Sequence, residues 1–235
     1  HEQRYRRRLA DLLAGAKVSA EPLAHLVRES ADEPEGALVL LHGRGADEAD
    51  LVPVLDALDP QRRLVGLTPG APLPGPGGGR WWYQVPRIGF PDPATFQATY
   101  KRLTSFVDGW LAARGIGWER TVLGGFSQGA VMCYAVGLGP GRPSPAGILA
   151  ISGFIPTVQG WEPDLTGRRD VPVLIAHGSR DPVISVDFAR DARARLQGGG
   201  LAVDYREHGG AHQIDPSQVG PMRAWIRERV PELDQ

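Results

Sequence analysis

Short apolar runs alternate with amphipathic stretches along most of this 235-residue chain. The strand-like runs lie at residues 37–41, 63–68, 121–123, 147–151, 171–176 and 201–205. The stretches with helical spacing lie at residues 47–58, 95–114, 128–138, 186–196 and 216–229. A continuously apolar run such as Ala37–Leu41 is typical of a strand covered on both faces. The alternation therefore predicts an α/β fold, with a mostly parallel central sheet that helices cover on both faces.

The length of the chain fits one sizeable domain or at most two small ones. We expect a single domain over residues 22–235, with an edge strand at 23–27. An N-terminal extension over residues 1–21 precedes it, and the spacing of three leucines there predicts a short helix. The proline- and glycine-rich segment 69–79 is expected to be a long surface loop. No insertion is long enough to form a large lid.

Charge and cysteine content exclude several classes of partner. The chain has 26 Lys and Arg against 27 Asp and Glu, so nothing draws it as a whole to nucleic acid or to an anionic membrane. Cys133 is the only cysteine, which excludes an internal disulfide and a cysteine-rich metal site. No apolar stretch approaches the ~18 residues needed to span a bilayer, and the N-terminus lacks a signal-peptide core. We expect a cytoplasmic protein without metal or cofactor; a homodimer is left open.

The sequence GFSQG at residues 125–129 matches the pattern G-x-S-x-G. It directly follows the predicted strand 121–123 and directly precedes the predicted helix 128–138. A strand that turns sharply into a helix forces its central residue into a strained backbone conformation, and glycines on either side relieve the crowding. The hydroxyl of Ser127 would then project above the sheet at the positive end of a helix. This context predicts a nucleophilic serine.

A nucleophilic serine needs a base, and the base needs an acid to orient it. On this type of fold they follow in the chain order serine, acid, histidine. Asp181 lies in the segment after the buried run 171–176, which makes it the acid. Two histidines compete for the role of base after the run 201–205. We favour His212, because it follows a double glycine that can turn over the serine, whereas His208 is expected to pack or face solvent.

Acyl transfer also requires two backbone N–H groups aimed at the developing oxyanion. One should come from Gln128, the residue after the serine. The other should come from the turn that follows the run 37–41, where glycines flank Arg44 and let its backbone face inward. Elsewhere, His42 and His177 sit in turns and are expected to brace loops. Cys133 is expected to be a buried, inert thiol.

Four blocks of sequence together resemble the phospholipase/carboxylesterase family of small α/β-hydrolases, which includes acyl-protein thioesterases and short-chain bacterial carboxylesterases. The blocks are residues 41–45, 125–130, 177–183 and 209–213. The resemblance covers roughly residues 22 to 230 and implies the α/β-hydrolase fold. It also implies Ser127, Asp181 and His212 as the triad and the Arg44 and Gln128 N–H groups as the oxyanion hole. The family often has a hydrophobic residue or glycine where Arg44 stands, and the difference places a charge at the mouth of the site.

The run Trp81-Trp82-Tyr83 resembles the tryptophan-containing loop that borders the acyl groove in this family. Consecutive aromatic residues after a glycine- and proline-rich loop cannot all point inward. We therefore expect at least one of them, or Phe90, to line the groove. Trp82, Tyr83 and Val183 are assigned to substrate binding.

These residues predict a serine carboxylesterase that hydrolyses short- to medium-chain carboxylic esters of small molecules through an acyl-enzyme. A lysophospholipase or an acyl thioesterase would use the same triad, so both alternatives stay open. A third alternative is a non-catalytic ligand-binding protein on the same fold. The presence of every triad candidate argues against it.

Overall fold

The computed structural model describes residues 22–234. The helix expected in the extension 1–21 lies outside this range. Among the described residues, no helix combines the length and the apolar composition needed to cross a membrane. The cytoplasmic location stays a prediction.

Seven strands form one central sheet. They are β1 (His25–Arg28), β2 (Ala37–Leu41), β3 (Val65–Pro69), β6 (Thr121–Phe126), β7 (Gly147–Ile151), β8 (Val173–Gly178) and β9 (Val203–His208). Their order across the sheet is β1-β3-β2-β6-β7-β8-β9. Only the edge strand β1 runs antiparallel to its neighbour; the other pairs are parallel. The prediction of a mostly parallel sheet with an N-terminal edge strand is confirmed.

Helices cover both faces of this sheet. In the described range they are α1 (Val52–Leu58), α2 (Pro93–Ala113), α3 (Gln128–Leu138), α4 (Val186–Gly198) and α5 (Pro216–Arg229). Alternate residues of β2 face opposite ways: Val39 packs in the core beneath α2, α3 and α4, whereas Leu38 packs with α1 and α5. This alternation explains why the strand is apolar at every position.

The structure differs from the sequence-based prediction in the bounds of several elements, most clearly in helix α1 and in the segment 69–79. Helix α1 begins at Val52 rather than at residue 47, because residues 47–51 form turns in which the Asp47 carboxylate accepts the Ala49 N–H. The segment 69–79 is not an unstructured loop. It holds β4 (Leu73–Pro74) and the 3₁₀ turn Pro76–Gly78, and β4 pairs with β5 (Arg80–Trp81) in a small hairpin. No helical subdomain is inserted between the strands in residues 22–234.

Strand β6 runs three residues beyond its predicted end at 123, to Phe126. It lies between β2 and β7 and pairs with both, Gly125 opposite Leu41 on one side and Ala150 on the other. Pairing on both sides overrides the low strand propensity of its glycines. The carboxyl ends of β2, β6, β8 and β9 consequently meet at one edge of the sheet, where ligands bind in folds of this kind.

Candidate active site

Ser127 occupies the turn between β6 and α3 with φ 57° and ψ −121°. A positive φ is strained for a non-glycine residue, by about 1–3 kcal/mol. Its N–H donates to the Ile151 carbonyl at 2.9 Å, which ties the turn to β7. A Cβ at Gly129 would overlap the Leu41 carbonyl oxygen, and one at Gly125 would lie 2.5 Å from the Gly129 carbonyl carbon. Both flanking positions therefore need glycine, for the crowding that the sequence analysis expected.

The side chains of Ser127, His212 and Asp181 form one chain of hydrogen bonds. His212 Nδ1 donates to Asp181 Oδ2 at 2.7 Å, because a carboxylate can only accept. This tautomer leaves His212 Nε2 unprotonated, 3.0 Å from Ser127 Oγ, so the hydroxyl donates to it. Geometry of this kind lets the imidazole take the serine proton while the carboxylate holds the ring in place.

Asp181 is held by backbone as well as by His212. Its Oδ1 accepts the N–H groups of Val183 and Ile184, both at 2.8 Å, and its carboxylate has no exposed surface. Three donors on two oxygens fix the carboxylate, and a charged acceptor strengthens each bond. The acid therefore has little freedom to rotate away from the imidazole.

Neighbouring strands bring the acid and the histidine together. β8 and β9 pair up to Gly178 and His208 at their carboxyl ends. Beyond that point the loops stay linked, since the Ser179 N–H donates to the His208 carbonyl and the Arg180 N–H to the Gly210 carbonyl. The His212 ring also packs against Phe126, with 4.8 Å between ring centroids.

The turn after β2 lies directly beside the serine. A Cβ at Gly43 would come 3.4 Å from Ser127 Cβ and 3.2 Å from the Phe126 ring. The Arg44 N–H that follows has no acceptor in the described part of the chain. The Gln128 N–H is the first of α3, where helical N–H groups have no intrahelical partner. Both N–H groups expected at the oxyanion hole thus come from segments that contact Ser127.

The side chain of Gln128 has a structural role, whereas its backbone N–H is expected at the oxyanion hole. Its Oε1 accepts the Trp82 N–H at 2.8 Å and its Nε2 donates to the Tyr83 carbonyl at 2.9 Å. The Trp82 indole N–H donates to the His42 carbonyl at 2.7 Å. These bonds fasten the segment after β5 to the turn after β2 and to the start of α3.

Trp82 and Tyr83, which the sequence analysis assigned to substrate binding, are both buried, at 0% and 1% exposure. Their side chains pack in the core, because the Gln128 bonds turn this segment inward. Trp81 and Phe90 keep accessible surface, Phe90 at 37%. The scaffold role of Gln128 was missed, since its two partners are backbone groups that no sequence motif marks.

We expect replacement of Gln128 by methionine to destabilise the protein by about 2 kcal/mol. The change keeps the side-chain volume but leaves the buried Trp82 N–H and Tyr83 carbonyl without partners, and each such group costs about 1–3 kcal/mol. Urea unfolding followed by tryptophan fluorescence measures the loss. Gln128→Glu is the matched comparison, because it keeps the acceptor for Trp82 but removes the donor to Tyr83. Equal stability of Gln128→Met and the wild type would mean that these two hydrogen bonds of Gln128 do not stabilise the fold.

Two further histidines brace loops around the site, as expected. His42 Nδ1 donates to the Gly43 carbonyl at 2.7 Å and its Nε2 accepts the Ala71 N–H at 3.0 Å. His177 Nε2 donates to the Ile184 carbonyl at 2.7 Å, beside Asp181 Oδ2 at 3.5 Å. Burial lowers the pKa of both imidazoles, which favours their neutral forms.

The competing histidine and the cysteine have other surroundings. His208 is buried at the end of β9, where its Nδ1 accepts the Gly210 N–H at 3.1 Å and lies 3.5 Å from Asp215 Oδ2. Cys133 is buried within α3, and burial raises the pKa of its thiol well above the ordinary value. Within residues 22–234, no group of three or more His, Cys, Asp or Glu side chains is placed to hold a metal ion.

Exposed apolar side chains lie on loops at this edge. Val183, next to the carboxylate bonds of Asp181, is 46% exposed, and Ile88 and Phe90 are each 37% exposed. The turn that carries Ile88 and Phe90 packs on α4, since a Cβ at Gly89 would come 2.8 Å from the Phe188 ring. Phe188 in turn contacts Phe154, with 5.3 Å between ring centroids.

The chain has a mostly parallel sheet, one strand of which turns into a helix at a strained serine, and an aspartate and a histidine follow on later loops in that order. This combination defines the α/β-hydrolase fold. The chain belongs to the phospholipase/carboxylesterase family within this class, because the model of that family matches residues 24–229.

Relatives in sequence agree with this membership, and solved structures share the fold. Esterase YpfH of Escherichia coli is 31% identical over 215 residues, which cover 88% of this chain and 89% of the relative. Acyl-protein thioesterase 1 of Gibberella zeae is 31% identical over 121 residues. This match covers 50% of this chain and 51% of that relative, so the chain spans about half of the relative's length. The crystal structure of esterase PE8 superimposes with a TM-score of 0.74 at 26% identity, over 88% of this chain and 99% of that one. The Bacillus cereus carboxylesterase gives 0.76 at 20% identity, over 93% and 98%.

Proposed function

We propose that this protein is a serine carboxylesterase that hydrolyses short- to medium-chain carboxylic esters of small molecules. The observation that carries the proposal is the hydrogen-bond chain from Ser127 Oγ through His212 to Asp181, at 3.0 and 2.7 Å. Membership of the phospholipase/carboxylesterase family supports the same chemistry.

Acylation begins when Ser127 Oγ attacks the ester carbonyl and His212 Nε2 takes its proton. The carbonyl oxygen becomes an oxyanion, and the N–H groups of Arg44 and Gln128 donate to it. The imidazolium is stabilised by the Asp181 carboxylate. Collapse of the tetrahedral intermediate breaks the bond to the alcohol oxygen, which receives its proton from His212.

Deacylation repeats these steps with water. His212 Nε2 accepts a proton from the water as its oxygen attacks the acyl-enzyme carbonyl. The same N–H groups stabilise the second oxyanion. When that intermediate collapses, Ser127 Oγ leaves, takes the proton back from His212, and the carboxylic acid departs.

We assign the acyl chain to the exposed apolar side chains of Val183, Ile88 and Phe90. Val183 follows the acid in sequence, so a chain leaving the serine toward the acid loop meets it first. Each methylene that leaves water contributes up to about 0.8 kcal/mol. Because these side chains form only a small surface, the gain should end after a few carbons, which favours short to medium chains. Trp82 and Tyr83 contribute indirectly, by holding Gln128.

A fluorophosphonate probe followed by a chain-length series of p-nitrophenyl esters tests the proposal. We expect one probe to attach per chain at Ser127, as peptide mass spectrometry would read it. Along the series from acetate to palmitate, kcat/KM should rise over the first additions, by up to about fourfold per methylene, and fall for long chains.

Three outcomes decide against this function. A folded protein that neither reacts with the probe nor hydrolyses any ester would be a non-catalytic member of the fold. A thioester cleaved much faster than the oxygen ester of the same acyl chain would favour the acyl thioesterase. Preference for a lysophospholipid over a short ester would favour the lysophospholipase.

A further inference from the structure

The side chain of Arg44 projects from the turn after β2, the same turn that contacts Ser127 through Gly43. Arg44 is exposed, and its Cζ lies 5.0 Å from the centroid of the Trp81 ring. A cation at this distance from an indole is attracted by the electrons of the ring. The backbone of Arg44 follows Gly43, which packs on Ser127. Arg44 thus offers its backbone N–H to the reacting carbonyl and its positive charge to the part of the substrate beside that carbonyl.

Both components of this cation–aromatic pair are held in place. The Gly45 N–H donates to the Arg80 carbonyl at 2.9 Å, and the Arg80 N–H donates to the Ala46 carbonyl at 2.8 Å. The Trp81 indole also lies against Gly75, where a Cβ would overlap it. The turn after β2 and the hairpin that carries Trp81 are therefore joined, which keeps Arg44 and Trp81 next to each other.

The charge of Arg44 is not neutralised in the described part of the chain. The two acids closest in sequence are engaged elsewhere: Glu48 pairs with Arg80 at 3.2 Å, and Asp47 Oδ1 accepts the Ala49 N–H at 2.8 Å. No carboxylate of residues 22–234 forms an ion pair with Arg44. Its positive charge also affects the buried Tyr83. Burial raises the pKa of the Tyr83 hydroxyl, and the charge of Arg44 opposes that rise.

We propose that Arg44 and Trp81 form an anion subsite, and that the preferred ester carries a carboxylate or phosphate within reach of it. The inference rests on the proposed esterase function and narrows its substrate class. A guanidinium presents planar paired donors that match both groups, and an anion already bound there would hold the ester carbonyl near the Arg44 N–H. The neutral part of the substrate would contact the apolar side chains on the acid-loop side.

Two matched pairs of substrates test this subsite. The first pair is the p-nitrophenyl monoester of glutaric acid and p-nitrophenyl pentanoate, which differ by a carboxylate on the acyl chain. The second pair is the butyryl ester of glycerol phosphate and that of glycerol, which differ by a phosphate on the alcohol. The measured quantity is the ratio of kcat/KM, charged over neutral, within each pair. The pair with the larger ratio tells which side of the ester faces Arg44.

We expect Arg44→Gln to lower the ratio about tenfold in at least one pair, and Arg44→Lys to lower it by less, since it keeps the charge but loses the planar fork. Raising the salt to about 0.5 M should reduce the wild-type ratio by screening and leave the Arg44→Gln ratio nearly constant. Arg114→Gln is the matched control. Arg114 is also exposed and lies over an indole, at 4.6 Å from the centroid of Trp110, but it pairs with Glu29 at the opposite edge of the sheet. The ratios of this variant should stay within about twofold of the wild type.

The possible failures are distinguishable. If the wild type hydrolyses none of the four substrates, the esterase function itself is wrong. If it hydrolyses both members of each pair, and Arg44→Gln leaves the ratio of each pair at the wild-type value, only the anion subsite is wrong. A drop of the same size in Arg114→Gln would overturn the subsite as well, since it would mean that any exposed arginine of the protein has the effect.

Discussion

Replacement of Ser127 by alanine is expected to lower kcat for ester hydrolysis by about 10⁶, because the attacking oxygen is removed and no neighbouring group replaces it. Backbone N–H donors and the binding surface remain, so a residual rate above that in water should persist. The measurement is kcat of the purified variant on an activated p-nitrophenyl ester. Turnover at the wild-type rate by the folded variant would overturn the nucleophile assignment.

Ser127→Gly is the matched control for the backbone. It removes the same hydroxyl, so it should be as inactive as Ser127→Ala. Glycine adopts φ 57° without strain, whereas alanine does not. The glycine variant should therefore unfold at higher urea concentration than the alanine variant, by about 1 kcal/mol. Equal stability of the two variants would mean that the turn stores no strain.

His212→Ala is expected to be nearly as damaging as loss of the serine, again about 10⁶ in kcat, because no other side chain of residues 22–234 is hydrogen-bonded to Ser127 Oγ to take its proton. The measurement is kcat on the same activated ester. The variant should remain folded, since the imidazole ring is partly exposed, at 17%.

His208→Ala provides the comparison for this prediction. His208 is the last residue of β9, and its Nδ1 accepts a hydrogen bond from the Gly210 N–H. The variant should keep kcat within about tenfold of the wild type and lose some stability. An inactive His208→Ala beside an active His212→Ala would mean that the base is the other histidine.

Much of the fold was predictable because its signals are local. Strand β2, helix α3, strand β7 and helix α5 have the bounds that periodicity alone gave them. Periodicity succeeds here because a strand between two helical layers must be apolar at every position. Among the elements that differ, α1 depends on turn hydrogen bonds, and the hairpin of β4 and β5 is joined by backbone hydrogen bonds to the distant turn after β2.

The sequence by itself determined which residues are brought to one edge of the sheet. G-x-S-x-G between a strand and a helix, an aspartate after a later buried strand and a histidine after the last strand specify chain order, and parallel strands end at a common edge. Tertiary structure decided what those residues contact. It buried Trp82 and Tyr83, which the sequence placed at the substrate, and set Trp81 against the Arg44 guanidinium. The physical reason is that the direction of an aromatic side chain in an irregular segment depends on partners far along the chain, here the side chain of Gln128, and no local pattern encodes them.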